Sequence, residues 1–367
     1  MELIKSGILY NYDFGLESEY SFYNALNESN SIVLMGSSEL LQSDTVRAMP
    51  FNFIPKNSHF NLLAIGTGGN QCFSIFTQLY SARKYLDNSK IVIIISPNWF
   101  IKRYGSGTSL ASFFEFNNNR FLHRIINNSS QNDLFKNYIG EYIVKNYSNI
   151  ESNNTLINYF YYKHLSMKNN FYGIAFFPIV QMLSFINNLP IIIFGNDYNY
   201  SELEYNPSEQ EIATKLNIEK NIIWNEYFEN AIEYQKSIST NNDIGMRDDY
   251  YNIEIKQRKK KRQISLNPIE EIQEYKDFKM LLKLLAHYNA DATFVIQALN
   301  PYFYDDLNDM KPIIDSISYM IKDNNFPLNN QFIYKENEYE IGVSSDAMHL
   351  GALGWYRINK FIIENYN

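Results

Sequence analysis

The chain has 367 residues, 45% of them hydrophobic, 16% aromatic and 20% charged, with a formal net charge of -8. That length and apolar content supply a sizeable core for one large or two ordinary domains and exclude a disordered or fibrous chain. A single cysteine, Cys72, and five histidines exclude a disulfide framework and a cysteine-cluster metal centre, and the acidic balance argues against a nucleic-acid partner.

The first thirty residues hold only short apolar pieces broken by Glu2, Lys5, Asp13, Glu17 and Glu19, so neither a signal peptide nor a spanning helix fits there. Ile32 to Met35, Leu62 to Ile65 and Ile91 to Ile95 then read as buried parallel strands, each a short apolar run closed by Gly, Ser or Pro. Between the second and third, Phe73 to Leu86 has helical spacing, with Phe73, Phe76, Leu79 and Tyr80 near one face. This alternation predicts a doubly wound parallel α/β sheet, whose ligands bind beyond the carboxyl ends of the strands.

From about residue 100 to 285 the pattern turns to long Asn- and Tyr-rich helical stretches, read as an insertion into the α/β core. Within it, Phe171 to Asn196 is uncharged, yet Pro178, Gln181, Ser184, Asn187, Asn188 and Pro190 interrupt it too often for a membrane span. A helix from near Pro178 and an apolar segment Ile191 to Phe194 are expected there, either buried or resting on a membrane or membrane partner. The run Lys256 to Arg262, KQRKKKR, is a solvated basic face or a docking site for an anionic polymer or headgroup. Core elements return with a helix over Phe278 to His287, a strand over Thr293 to Ala298 and a last helix over Tyr356 to Ile363.

Four loops after these elements carry the chemistry. GSSEL, residues 36 to 40, puts a serine at a sharp turn after a strand, where its hydroxyl can attack a carbonyl and its own N–H can face the oxyanion. SSDAMHLGALGW, residues 344 to 355, holds Asp346 three residues before His349, so one imidazole nitrogen can meet the carboxylate while the other takes a proton. GTGGNQ, residues 66 to 71, and SPNWF, residues 96 to 100, offer backbone N–H groups and an Asn amide for an oxyanion hole. No phosphate-loop or dinucleotide-binding glycine spacing is present, and no cofactor is called for. Cys72, next to the Gly-rich loop, reads as a buried small hydrophobe.

These four loops together resemble the SGNH hydrolase superfamily and, more narrowly, the DltD family of D-alanyl-lipoteichoic acid biosynthesis proteins, with its GSSE, G-x-GG, SPQWF and terminal SDAxHxGxxGW blocks. NNDIGMRDDYY at 241 to 251 is similar to a further family block, N-x-x-GIRDxYW, and LNPYFYDDL at 299 to 307 stands in the place of another. The resemblance implies an SGNH-hydrolase-like, flavodoxin-like three-layer α/β/α fold. Residues 1–30 would be a juxtamembrane-like segment and 31–367 one domain carrying the 100–285 insertion. It implies Ser38 as nucleophile, His349 as base, Asp346 as its orienting carboxylate, and Gly69 and Asn98 as oxyanion donors. Ser37, Asn70, Trp99 and Asn300 would contact substrate. Asn98 stands where the family has Gln, one methylene longer.

The implied activity is serine-dependent acyl transfer or ester or thioester hydrolysis in D-alanylation of teichoic acid. Its partners would be the polyglycerol-phosphate acceptor, a membrane-bound O-acyltransferase, the D-alanyl carrier system and an anionic membrane surface. Only 35 residues precede Gly36, so a chain trimmed of the family's membrane anchor and working outside the cytoplasmic membrane is expected. The alternatives are a cell-wall glycan esterase or O-acetyltransferase, and a non-catalytic scaffold that binds carrier protein or teichoic acid.

Overall fold

A computed structural model describes residues 7–9, 16–41, 47–102, 105–108, 133–145, 209–258, 261–265, 267–305, 307–329 and 339–366, together with Phe113, Ile125 and Met182. The Pro178 helix and the Ile191 to Phe194 segment, Met182 apart, lie outside the described residues. Strands β1 (Gly7–Leu9), β2 (Ser31–Gly36), β3 (Asn61–Gly66), β4 (Lys90–Ile95), β5 (Asp291–Ile296) and β6 (Leu328–Asn329) form one sheet in the order β1-β3-β2-β4-β5-β6. Every pairing is parallel. From β2 onward the order is that of flavodoxin-like sheets, whose ligand crevice opens where the winding reverses, here between β2 and β4.

Parallel strands buried on both faces need apolar side chains at every position, which explains the unbroken runs in β2, β3 and β4. Alternate residues feed two cores. Val33, Met35, Leu63, Ile65, Ile91, Ile93 and Ile95 pack against α1 (Leu16–Asn27), α3 (Cys72–Ser81), α4 (Leu134–Lys145), α7 (Gln273–His287) and α8 (Lys311–Asp323). Ile32, Leu34, Leu62, Ala64, Val92 and Ile94 pack against α2 (Pro50–Asn57), α6 (Trp224–Ile238) and α9 (Ala352–Tyr366). The result is an α/β fold in three layers. The helix α5 (Glu209–Lys220) is tied to the turn between α2 and β3 through Glu219, which accepts the His59 N–H at 2.6 Å.

Among the described residues, the expected strands and helices form within a few residues of the expected bounds. The first thirty residues add β1, paired with β3, and α1, whose Phe22, Tyr23 and Leu26 are buried. Among the described residues no helix is long and apolar enough to cross a membrane.

Candidate active site

β2 and β4 both end in short 3-10 turns, Ser38–Leu41 and Pro97–Phe100. Gly36 leaves room for the Glu39 carboxylate at this turn, since a Cβ there would lie 2.4 Å from Glu39 Oε1. Glu39 therefore folds back under its own strand end, where Oε1 accepts the Ser37 N–H at 2.6 Å. Burial raises the Glu39 pKa, and the N–H groups of Ser37 and Glu39 and the nearby His349 oppose that rise. Ser38 emerges half-buried above it.

The terminal loop is built on close approaches. A Cβ on Gly351 would lie 2.2 Å from the Gly342 carbonyl oxygen, and one on Gly354 would lie 2.5 Å from that of Val343. Glycines there let the Gly351 N–H reach Val343 O at 2.8 Å and the Ser345 N–H reach His349 O at 3.0 Å, closing residues 343–351 into a tight loop. Inside it, Asp346 Oδ1 accepts the N–H groups of Met348 and His349, each at 2.9 Å. The loop is pinned to the sheet by Gln297 Nε2, which donates to the Met348 carbonyl, and by Asn300 Nδ2, which donates to the Asp346 carbonyl at 3.2 Å.

These two loops meet across 311 residues of sequence. His349 Nδ1 lies 2.8 Å from Asp346 Oδ2, and Nε2 lies 3.0 Å from Ser38 Oγ. An ionised carboxylate only accepts, so the imidazole proton sits on Nδ1 and Nε2 presents its lone pair to the serine. Burial opposes charge on His349, but the Asp346 hydrogen bond and charge, with Glu39 adding and Arg247 opposing, leave its pKa above the ordinary value. Burial likewise opposes charge on Asp346, but His349 and the two loop N–H groups hold its pKa below the ordinary carboxylate value.

The remaining expected residues divide into two groups. Asn98 is 3% exposed, and neither its Oδ1 nor its Nδ2 has a hydrogen-bond partner among the described residues. The Ser38 N–H likewise has no acceptor among them. An orphaned buried amide is costly, and this one sits in the 3-10 turn that follows β4, the strand paired with β2. Gly69, at φ 92°, gives its N–H to Ser37 Oγ at 3.2 Å, and that hydroxyl donates to Thr67 O at 3.1 Å. Asn70 is fully buried and gives its amide to the Gly36 carbonyl at 2.9 Å. Asn300 is also fully buried, with its Oδ1 on the Tyr302 N–H at 2.9 Å, and Trp99 is packed in the core. Asn70, Trp99 and Asn300 thus lie beneath the site.

Cys72 is buried, and burial pushes its thiol well above the ordinary value, with Glu274 and Asp277 adding. Among the described residues no group of three or more His, Cys, Asp or Glu side chains is arranged to hold a metal ion. A groove of about 650 Å³ bordered by Asn57, Glu226, Tyr227 and Asn230 contains none of the groups above. Sequence reasoning missed Glu39 and Gln297 as supports. Both carried a signal, as polar residues at the ends of apolar strand runs.

Comparison with known proteins decides the family. The family model described as DltD protein matches residues 13–367. The chain belongs to the DltD family. Protein DltD of Staphylococcus aureus is 24% identical over 354 residues, covering 93% of this chain and 82% of that protein. Protein DltD of Bacillus subtilis is 24% identical over 353 residues, covering 93% and 83%. DltD membership thus extends over the whole distance from Ser38 to His349.

Proposed function

We propose that this DltD-family chain is a serine-dependent acyl transferase or esterase acting in D-alanylation of teichoic acid. The observation that carries the reading is the Ser38–His349–Asp346 hydrogen-bond chain, at 3.0 and 2.8 Å. Ser38 Oγ attacks the carbonyl carbon of an acyl ester or thioester as its proton passes to His349 Nε2. The oxyanion is received by the Ser38 N–H and Asn98 Nδ2, and by the Gly69 N–H once it leaves the Ser37 hydroxyl. His349 returns the proton to the departing oxygen or sulfur, leaving an acyl-Ser38 ester. A teichoic acid hydroxyl, or water, then gives its proton to His349 and takes the acyl group. Asp346 stays ionised and holds the imidazole in the tautomer this sequence needs.

The membrane-bound acyltransferase, the D-alanyl carrier system and an extracellular location belong to the same proposal and follow from the family resemblance. The test is Ser38→Ala. Turnover of a D-alanyl ester should fall on the order of 10⁶-fold, and labelling by a fluorophosphonate should be lost. A Ser38→Ala protein that sustains teichoic acid D-alanylation in cells overturns the catalytic reading and favours a scaffold. Faster turnover of acetyl than of D-alanyl esters by the purified protein favours a glycan esterase.

A further inference from the structure

Within the basic run, Arg258, Lys261 and Arg262 are held against the 300–305 segment. Arg258 and Arg262 both stack on Phe303, with guanidinium carbons 4.5 and 4.6 Å from the ring centroid. The Arg262 backbone is fixed on both sides: its N–H donates to Phe303 O at 2.9 Å and its carbonyl accepts the Asp305 N–H at 3.0 Å. Lys261 Nζ donates to Pro301 O at 3.3 Å. This segment begins at Asn300, whose amide holds the Asp346 carbonyl, so one short loop joins the arginine pair to the His349 loop.

Charge around these arginines is unevenly compensated. Arg258 is paired with Glu254 at 2.8 Å, but among the described residues no carboxylate pairs with the half-buried Arg262. Arg247 is held to the His349 loop by its backbone N–H, which donates to Ser345 O at 3.1 Å, and its guanidinium is paired with Asp249 at 3.0 Å. In a chain of net charge -8, a half-buried guanidinium left without a counter-charge favours an anion. The planar fork matches the two non-bridging oxygens of a phosphodiester.

We propose that Arg258 and Arg262, stacked on Phe303, form a phosphodiester subsite that holds a backbone phosphate of the acceptor polymer and presents a neighbouring hydroxyl to Ser38. This rests on the acyl-transfer reading above. It narrows the seven-residue basic run to the two side chains anchored on one ring.

The test uses a fluorescein-labelled synthetic glycerol-phosphate hexamer, with binding to the purified Ser38→Ala protein read by anisotropy. Arg262→Ala and Arg258→Ala should each weaken binding about tenfold or more. Arg262→Lys should recover only part of it, because an ammonium lacks the fork. In the Ser38 protein, turnover of a small neutral ester should be unchanged by the arginine substitutions, and that of a phosphate-bearing ester should show a raised KM. Unchanged hexamer affinity in Arg262→Ala, or an equal loss from Lys256→Ala, overturns the subsite. So does a loss seen only on vesicles containing phosphatidylglycerol, which would assign the pair to lipid headgroups. Because the binding arm uses protein without the Ser38 hydroxyl, failure of the catalytic reading leaves it legible.

Discussion

The Gly69 N–H donates to the Ser37 hydroxyl at 3.2 Å, and the same hydroxyl donates to the Thr67 carbonyl at 3.1 Å. Ser37 is therefore a brace between the Ser38 turn and the Gly-rich loop, one residue before the hydroxyl that faces His349. Ser37→Ala should lower stability by about 1 kcal/mol and slow ester turnover modestly, while fluorophosphonate labelling persists. Ser38→Ala should do the reverse, leaving the melting temperature nearly unchanged and abolishing labelling. Labelling that survives Ser38→Ala and disappears in Ser37→Ala would move the nucleophile to the neighbouring residue.

On the proposed reading, Asn98 should separate function from stability. Its side-chain amide is buried without a partner among the described residues, so hydrogen bonding there adds nothing to the fold. Asn98→Ala should reduce kcat about 10²- to 10³-fold, as expected for one lost oxyanion donor, with thermal stability held or raised. A large fall in melting temperature with kcat intact would make the amide a structural group. Asn98→Gln restores the side-chain length usual in the family at this position, and its rate relative to wild type measures how closely the pocket is fitted to Asn.

The pH profile follows from the pair of loop groups. His349 must be neutral to accept the Ser38 proton, and Asp346 holds its pKa above the ordinary value of 6.5. The rate constant kcat/KM for a neutral ester should therefore rise with pH and reach half its plateau above pH 6.5. Asp346→Asn removes the carboxylate that raises this pKa and supplies the tautomer. The midpoint should move to lower pH, and the plateau should fall on the order of 10⁴-fold. A midpoint that stays fixed in Asp346→Asn would show that another group controls the ionisation.

Much of this site was legible because strand ends are marked twice, once by the apolar run and once by the polar residues that stop it. Ile32 to Met35 before GSSEL and Ile91 to Ile95 before SPNWF fix two loops at one edge of a parallel sheet, and the order of the strands brings them side by side. The pairing of Ser38 with His349 is a long-range contact that no local pattern encodes; it came from the family blocks. β1 and β6 escaped because strands of three and two residues at the sheet edges need no long apolar run. Asn70 and Asn300 read as ligand contacts because a loop asparagine looks the same whether its amide meets a substrate or, as here, a carbonyl oxygen beneath the site.

The terminal loop should tolerate no Cβ at Gly351. The methyl of Gly351→Ala would lie 2.2 Å from the Gly342 carbonyl oxygen, with backbone rather than a movable side chain as its neighbour. Relief requires opening the 343–351 loop, which separates His349 from Ser38. A stability loss of about 1–3 kcal/mol and a rate loss out of proportion to it are expected, measured by thermal melting and ester turnover on the same sample. Gly68→Ala is the control, since a Cβ there would meet Ser38 Cβ at an ordinary 3.9 Å. Equal damage from the two substitutions would refute the close-approach account.

At the start of α3, next to the Gly-rich loop, lies a second acidic feature. Glu274 Oε1 accepts the Cys72 N–H at 2.8 Å at the start of α3, and Asp277 Oδ1 accepts from Tyr138 at 2.6 Å and Gln273 at 2.9 Å. Both carboxyls are fully buried, and each has a second oxygen without a partner among the described residues. Burial raises both pKa values, and for Glu274 the neighbouring Asp277 adds to the effect, to about 8 and about 7. A carboxyl whose pKa is raised on folding favours the folded state in its protonated form. Its contribution is complete below the ordinary carboxylate range and is lost as pH rises through the folded value. Glu274→Gln and Asp277→Asn keep the acceptor oxygens while removing the charge. Their melting temperatures relative to wild type should therefore rise by a few degrees as pH is raised from 5 and level off once it passes the folded values. His349 titrates equally in wild type and variants and cancels in that difference. A difference that stays constant across the range would mean that neither carboxyl changes its protonation on folding.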